Sequence, residues 1–197
     1  MKFTKIPDTA FDEIQLNAGV LSTTFTPSSG EIGDILAATS GGISFEATPT
    51  YTDFGEDIDN CPKNTKELKK LDSWEVKMSG SFVTVTATSA KMMVGAADTA
   101  KDGTADKITP RNDVLDTDFE DIWLVGDYSS KNGDTNGGFV AIHMLNALST
   151  GGFKLQTADK NKGTLSFEFT GHYSIEDQST VPFEIYIKKG TEESPAA

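Results

Sequence analysis

Residues 164–174 alternate between apolar and polar side chains without a break, and this pattern constrains the fold more than any other. Leu165, Phe167 and Phe169 fall on one side of an extended chain, whereas Glu168 and His172 fall on the other. Because successive side chains of a strand point to opposite faces, this period of two predicts an antiparallel strand with one buried face. We therefore expect a chain built mainly from β-strands.

Similar patterns recur along the chain. Further strands are predicted over residues 43–48, 74–86, 121–128 and 183–188. Residues 139–148 are apolar throughout, which is compatible with either a buried strand or a short helix. Inside the second of these strands, Gly80 indicates a bulge or a bend.

Two short helices are expected between the strands. Asn64, three residues before Glu67, is typical of a helix start and predicts a helix over residues 65–71. Ser89 is a suitable cap for a second helix over residues 90–97, whose methionine pair is typical of core packing. The predicted fold class is mainly β: two packed antiparallel sheets, as a sandwich or partly closed barrel, with a flanking short α-helix.

The chain shows no internal repeat, linker or low-complexity tract, so a single domain over residues 1–197 is the simplest organisation. Residues 1–11 are predicted to form an extended N-terminal arm and residues 191–197 a flexible tail. Residues 98–120 are polar and contain a proline, which predicts a long loop. Loops of that length in compact domains tend to be functional or to become ordered on binding.

Charge excludes several classes of partner. Asp and Glu total 30 against 17 Lys and Arg, a net charge of -13, so the chain repels nucleic acid and anionic membranes. No apolar run approaches the length that spans a bilayer, and the first residues do not resemble a signal peptide, so we expect synthesis in a cytoplasm. Because Cys61 is the only cysteine, no internal disulfide is possible.

No motif indicates catalysis, a cofactor or a metal, and the chain is not expected to be an enzyme. Glu168 and His172 share a strand face but are four residues apart, about 13 Å, which is too far for a hydrogen bond. His143 lies in an apolar run with no obvious partner and is interpreted as a core residue. The acidic segments 53–60 and 116–121 lack the ligand spacing of a calcium loop and are interpreted as solvated loops.

One ordered set of segments resembles a known family. In this order and spacing, the segments are similar to the major tail proteins, or tail tube proteins, of long-tailed (siphovirus-type) phages. They are Asn17–Leu21 (NAGVL), Gly33–Phe45 (GDILAATSGGISF), Trp74–Phe82 (WEVKMSGSF), Lys91–Ala96 (KMMVGA), Gly171–Tyr173 (GHY) and Pro182–Tyr186 (PFEIY).

The resemblance implies a structural virion protein without catalytic residues or cofactors. Six copies would form a ring, and stacked rings would form a tube through which genome DNA passes without specific binding. The arm at residues 1–11 and a loop at residues 50–72 or 98–120 would bridge successive rings. Further implied partners are the tape-measure protein, the tail terminator and the distal tail proteins. No membrane partner is implied, and the location would be the phage tail.

An acidic lumen would repel phosphates and let DNA slide. The candidate lumen-lining residues are Glu75, Glu168 and Glu184, which lie on the polar faces of predicted strands.

Three other functions stay open. The first is the tube of a phage-tail-like bacteriocin or related injection machine, which sequence alone does not separate from a phage tail. The second is a β-sandwich carbohydrate-binding or adhesion module, although Trp74 and Trp123 lie within strand patterns and not in an exposed loop. The third is a small hydrolase, for which no pair among the 30 carboxylates stands out.

Overall fold

A computed structural model of the chain describes residue 7 and residues 10–15, 17–128 and 137–190. Regular structure in these ranges consists of twelve strands, one α-helix and three short 3-10 helices. The strands are β1 (Val20–Ser22), β2 (Phe25–Thr26), β3 (Glu31–Ile32), β4 (Thr39–Asp53), β5 (Lys69–Phe82), β6 (Ala97–Asp102), β7 (Ala105–Pro110), β8 (Glu120–Tyr128), β9 (Gly138–Ser149), β10 (Lys154–Gln156), β11 (Thr164–Gly171) and β12 (Phe183–Lys188). The helix α1 spans Ala87–Val94, and the 3-10 helices span Ala10–Glu13, Lys66–Leu68 and Asp116–Asp118.

Eight strands form one antiparallel sheet. Its order is β1-β8-β9-β11-β5-β4, with β12 added beside β9 and β10 beside β11. Strands β2 and β3 form a separate pair, as do β6 and β7. The mainly β prediction with one short α-helix is therefore confirmed. The predicted division into two separate sheets is not observed, because a single large sheet runs through the described chain and does not close into a barrel.

Strand β9 joins the two halves of this sheet. One edge pairs with β8, whereas the other pairs first with β12, through residues 139–144, and then with β11, through residues 147–149. Asn146, between these segments, has a φ of 48°. Beyond Asn146 the strands of the two halves are no longer paired with each other. Their inward side chains still make contact across the core, since Phe183 on β12 packs against Phe45 on β4 and Trp74 on β5.

The alternation of residues 164–174 is confirmed over its first part as strand β11. The side chains of Leu165, Phe167 and Phe169 are each at most 3% exposed. Their partners in register on β5 are Phe82, Gly80 and Met78, so apolar side chains meet across the two strands. Burial of this inward face supplies the main driving force for the sheet.

Position 80 requires glycine because of close packing against Phe167, and not because β5 bends there. A Cβ atom at this position would lie 2.8 Å from Cζ of Phe167, whose ring stacks on Phe82 with centroids 4.3 Å apart. The irregularity lies on the neighbouring strand, where Gly41 and Gly42 have φ of 83° and 85° and the register with β5 shifts. The expected bulge is therefore one strand away from its predicted place.

The second predicted helix is observed as α1, shifted toward the N-terminus. Thr86 is its N-cap: its side chain accepts a hydrogen bond from the Ser89 N–H, while the Ser89 hydroxyl accepts one from the Thr86 N–H. Met92 and Met93 are buried in the core, as predicted. The first predicted helix, over residues 65–71, is wrong: only a 3-10 turn forms there before Lys69 begins β5, because pairing with β4 outweighs the local capping signal.

The long loop predicted over residues 98–120 is also wrong. Strands β6 and β7 form a hairpin joined at Gly103, and a 3-10 helix follows. Most side chains of this hairpin are exposed on both faces, so the sequence has no apolar alternation to indicate its strands. Of the expected arm, residues 10 and 11 belong to a 3-10 helix, while residues 1–6 and 8–9 and the tail at 191–197 lie outside the described residues.

Truncating the inward face of β11 should be costly. Phe169→Ala removes a ring that is 1% exposed, and we expect it to lower the free energy of unfolding by about 3–5 kcal/mol, measured by urea denaturation. The control Phe153→Ala removes a phenyl ring that is 44% exposed, and we expect a change within about 0.5 kcal/mol. Equal losses in the two variants would contradict the assigned core.

Candidate functional site

The outward face of β4, β5 and β11 is polar along its length. Register places Ser44 of β4, Ser79 of β5 and Glu168 of β11 side by side, and Glu46, Lys77 and Thr170 form the next row. The side chains on this outward face are Ser44, Glu46, Thr48, Glu75, Lys77, Ser79, Ser81, Ser166, Glu168 and Thr170. Hydroxyls and carboxylates therefore dominate a surface that spans three neighbouring strands.

Lys77 is the one cation among these ten side chains. Its ammonium group forms an ion pair with Glu75, and the two side chains are 43% and 59% exposed. The hydrogen bond and the charge of Glu75 raise the pKa of Lys77, and the charges of Glu168 and Glu46 raise it further. Three carboxylates surround one ammonium group, so the face keeps a net negative charge.

Two of the three predicted lumen residues share one face of the sheet. Glu75 lies on β5, four residues before Ser79, which is the partner of Glu168 in register on β11. Glu168 also accepts a hydrogen bond of 3.2 Å from the Thr150 hydroxyl. Glu184 lies on β12, opposite His143 of β9, and accepts a hydrogen bond from the Tyr186 hydroxyl. That bond raises the pKa of Tyr186. Glu184 thus belongs to a different part of the sheet.

His143 has partners that the sequence did not reveal. Its ring stacks on the Trp123 indole with centroids 3.9 Å apart and an interplanar angle of 8°. Nε2 lies 3.2 Å from an Asp121 carboxylate oxygen, and Nδ1 lies 3.7 Å from Glu184. The hydrogen bond with His143 lowers the pKa of Asp121. His143 is packed, as predicted, with its side chain only 14% exposed, but the expected absence of a partner is wrong. It links β8, β9 and β12 on the side of a second buried cluster, which contains Phe25, Trp123, Val125 and Ala141.

Arg111, the only arginine of the chain, holds the segment after the β6–β7 hairpin. Its guanidinium donates two hydrogen bonds, of 2.5 and 2.7 Å, to the buried carboxylate of Asp118. Burial alone would raise the pKa of Asp118, but hydrogen bonds from the Leu115 N–H and from Arg111 hold it below its ordinary value. Part of the acidic segment 116–121 is therefore structural and not a solvated loop.

The other acidic segment also has a structural member. Both carboxylate oxygens of Asp53 accept backbone hydrogen bonds, from Gly55 at 2.9 Å and Asn64 at 2.8 Å. Within the described ranges, no three His, Cys, Asp or Glu side chains converge as metal ligands would. The arrangement of charges supports packing and surface repulsion, and we find no grouping in that part of the chain with the geometry of a metal site.

Two long strands have one free edge. In the portion described, β4 pairs only with β5 and β12 pairs only with β9. The Trp74 N–H donates to the Tyr173 hydroxyl at 2.9 Å and so points away from β4. Pro49 is opposite Trp74 in register. In an antiparallel pair, the N–H and C=O groups of two opposed residues point either both toward the partner strand or both away from it. The missing N–H of Pro49 therefore falls on the free edge.

An open apolar hollow of about 330 Å³ lies beside the free edges. Ile43 and Phe45 of β4 line one side of it, and Leu124, Val140 and Ile142 line the other. Next to this hollow, Ile185 and Ile187 of β12 are 53% and 62% exposed, although they share the inward side of Ile142 and Val140. The core is therefore incompletely covered at the β12 end.

Sequence reasoning missed several of these residues for identifiable reasons. Glu46 and Lys77 became significant only once strand register placed them beside Glu75 and Glu168. Arg111 carried a usable signal, because a single arginine in an acidic chain is a candidate for a buried ion pair.

No protein-family model matches the chain, and no curated protein sequence matches it. Among the residues described, no helix has the length and apolar composition needed to cross a lipid bilayer.

Replacing Arg111 should lower the stability of the protein, because its partner Asp118 is buried. We expect Arg111→Ala to lower the midpoint of thermal unfolding at neutral pH by roughly 10 °C, because Asp118 is left charged and without a counter-ion. Asp118 has a lowered pKa, so its contribution is present above the ordinary Asp pKa of about 3.9 and is lost as pH falls through the folded value. The deficit of the variant should shrink in acid.

The control is Asp113→Ala, because Asp113 also lies beside Arg111, at 3.8 Å, but is 70% exposed. We expect little change in the unfolding midpoint for this variant. A deficit of Arg111→Ala that stayed constant from neutral pH to strong acid would contradict the role assigned to Asp118.

Proposed function

We propose that this protein is a structural virion protein that assembles with copies of itself into stacked hexameric rings, which form a phage tail tube that conducts genome DNA. The observation that carries the proposal is the pair of free edges, on β4 and β12, at separate parts of one antiparallel sheet. A free edge presents unpaired N–H and C=O groups and is a template for pairing with another chain. Two different edges on one molecule suit a head-to-tail ring.

The exposed apolar side chains support the same proposal. Ile185 and Ile187 lie on the free strand β12 beside the open hollow, where a strand from a neighbouring copy would cover them. Burial of this surface would add a hydrophobic contribution to backbone pairing. The finer fold proposed here is the tail-tube arrangement of two layers, and the contact of Phe183 with Phe45 and Trp74 is consistent with it.

The polar face suits the wall of a conduit. Hydroxyls and carboxylates without a dominant cation would not retain a polyanion, because phosphates are repelled and no run of Lys or Arg neutralises them. Glu75 and Glu168 are the stronger candidates for the lumen because they lie together on the outward face. Glu184 remains a candidate on its own strand. The proposed location is the virion, with the tape-measure, terminator and distal tail proteins as further partners.

A phage-tail-like bacteriocin tube would use the same surfaces and is the nearest alternative. The carbohydrate-binding alternative is less well supported by the tryptophans, since Trp74 contacts Phe183 and Trp123 is 8% exposed and stacked on His143. Neither indole forms an open platform for a sugar ring.

Electron microscopy of the purified full chain at high concentration tests the proposal. We expect rings or hollow tubes from the wild-type protein. Ile187→Lys adds a charge to the free β12 strand and should prevent assembly without unfolding the monomer, because charged edges resist pairing. The control Ile175→Lys makes the same change at a side chain that is 86% exposed, outside any strand, and should leave assembly intact.

A wild-type chain that stayed monomeric at every concentration, and also with a tail initiator complex added, would overturn the proposed function. Assembly of both variants to the same extent as the wild type would contradict the use of the β12 edge.

The lumen assignment has a separate test. We expect tubes of Glu75→Lys/Glu168→Lys to retain DNA at low salt and release it at high salt, whereas wild-type tubes should not retain it. The control Glu176→Lys lies in the segment after β11, away from the outward face, and should behave as the wild type. A density map of the tube that placed Glu75, Glu168 or Glu184 on the outer wall would contradict that residue's assignment.

A further inference from the structure

The hairpin formed by β4 and β5 extends beyond the body of the sheet. Strand β11 pairs with β5 only from Val76 to Phe82, so the earlier part of β5, residues 69–75, has β4 as its only strand partner in the described chain. We call this two-stranded extension, residues 48–75 with the connecting segment, the ribbon. An isolated two-stranded ribbon is marginally stable in water, so further contacts would be expected to support it.

The end of the ribbon is held by its own hydrogen bonds. Asp53 accepts from the N–H groups of Gly55 and Asn64, the Phe54 N–H donates to the Leu68 carbonyl at 3.0 Å, and the Lys69 ammonium donates to the Asn64 side chain at 3.0 Å. The bonds from Gly55 and Asn64 lower the pKa of Asp53. The surface is thus formed before any partner arrives, which reduces the entropy lost on binding.

Large apolar side chains are exposed on this ribbon. Tyr51 and Leu71 are opposite each other in register and are 50% and 42% exposed, while Phe54 and Ile58 in the connecting segment are 58% and 50% exposed. The ribbon therefore exposes four large apolar side chains, which a partner could cover.

Most charges on the ribbon are separated by sign, although Glu67 and Asp72 lie among the lysines and Glu67 forms an ion pair with Lys66 at 3.3 Å. The acidic bank begins at the last residue of β4 and continues into the connecting segment, whereas the lysine bank lies at the end of that segment and on the first two residues of β5. The acidic bank is Asp53, Glu56, Asp57 and Asp59, and the lysine bank is Lys63, Lys66, Lys69 and Lys70. Lys63 lies 3.7 Å from Glu56, but both side chains are more than half exposed, so the pair leaves most of the two banks in solvent.

We propose that the ribbons of neighbouring copies lie side by side, with the acidic bank of one copy against the lysine bank of the next and the exposed apolar side chains between them. The inference rests on the proposed ring assembly and specifies the partner of the ribbon within it. Opposite banks on one ribbon make the contact head-to-tail, and such a contact repeats around a ring. The resemblance implies that residues 50–72 bridge successive rings, whereas the contact proposed here joins neighbours within one ring.

Charge reversal on the full-length protein tests this pairing. Asp57→Lys/Asp59→Lys brings the charge of the acidic bank from -4 to 0, and Lys66→Glu/Lys70→Glu brings the charge of the lysine bank from +4 to 0. Each variant alone should self-associate about tenfold or more weakly than the wild type in sedimentation velocity at low salt, because the attraction between opposite banks is lost. An equimolar mixture of the two should restore part of the association, since the unchanged lysine bank of the first variant then meets the unchanged acidic bank of the second.

A matched control changes the net charge without touching the ribbon. Lys107→Glu/Lys154→Glu reverses two exposed lysines on β7 and β10, and should associate as the wild type does. High salt should weaken the wild-type contact and reduce the differences between variants, because surface charges are then screened.

The outcomes separate the two proposals. Rings or tubes of undiminished stability from both charge variants would overturn the ribbon contact and leave the tube function standing. Charge-dependent association with rescue by mixing, but without rings or tubes, would support the ribbon contact and count against the tube. Association that stops at a dimer would overturn the head-to-tail arrangement, and no association of the wild type at any concentration, with or without a tail initiator complex, would overturn both.

Discussion

Strand β9 is the constraint on which the rest of the structure depends. It pairs along one edge with β8, and its other edge is shared between β12 and β11 on either side of Asn146. This division forces β12 away from the other half of the sheet, so the inward side chains of the two halves can face one another. The core contacts of Phe183, the open hollow and the free edge of β12 all follow from that single change of partner.

Alternation was the signal that carried most of the fold. It gave β11 and β12 nearly at their observed bounds: β11 has one face buried and one in solvent, whereas β12 keeps the alternation although its apolar face is partly exposed. It failed for β6 and β7, whose side chains are mostly exposed on both faces, and for the start of β5, where pairing with β4 overrode a helix-like cap. Alternation does not predict the order or the register of the strands, because both depend on contacts between residues far apart in the chain.

The residue types of the candidate site could be predicted from the sequence, but their positions relative to one another could not. Glu75 and Glu168 were identified from strand parity alone, yet their common face required knowing that β5 and β11 are neighbours. The roles of His143 and Arg111 were hidden for the same reason: each acts through a carboxylate that only the tertiary fold brings within reach. In this acidic chain Arg111 and its buried partner Asp118 hold one segment of the fold, while most of the other carboxylates are exposed at the surface.

The edge of β4 is interrupted at both ends. The glycine bulge at Gly41 and Gly42 distorts it on one side, and Pro49 removes an outward N–H on the other. Between them lies a window of residues 43–48, about 20 Å of regular edge at about 3.3 Å a residue. Strand β12 is six residues long, the same length. A partner strand can therefore form uninterrupted backbone hydrogen bonds with this edge over about six residues, so the interruptions fix where along β4 a neighbouring strand begins and ends its pairing.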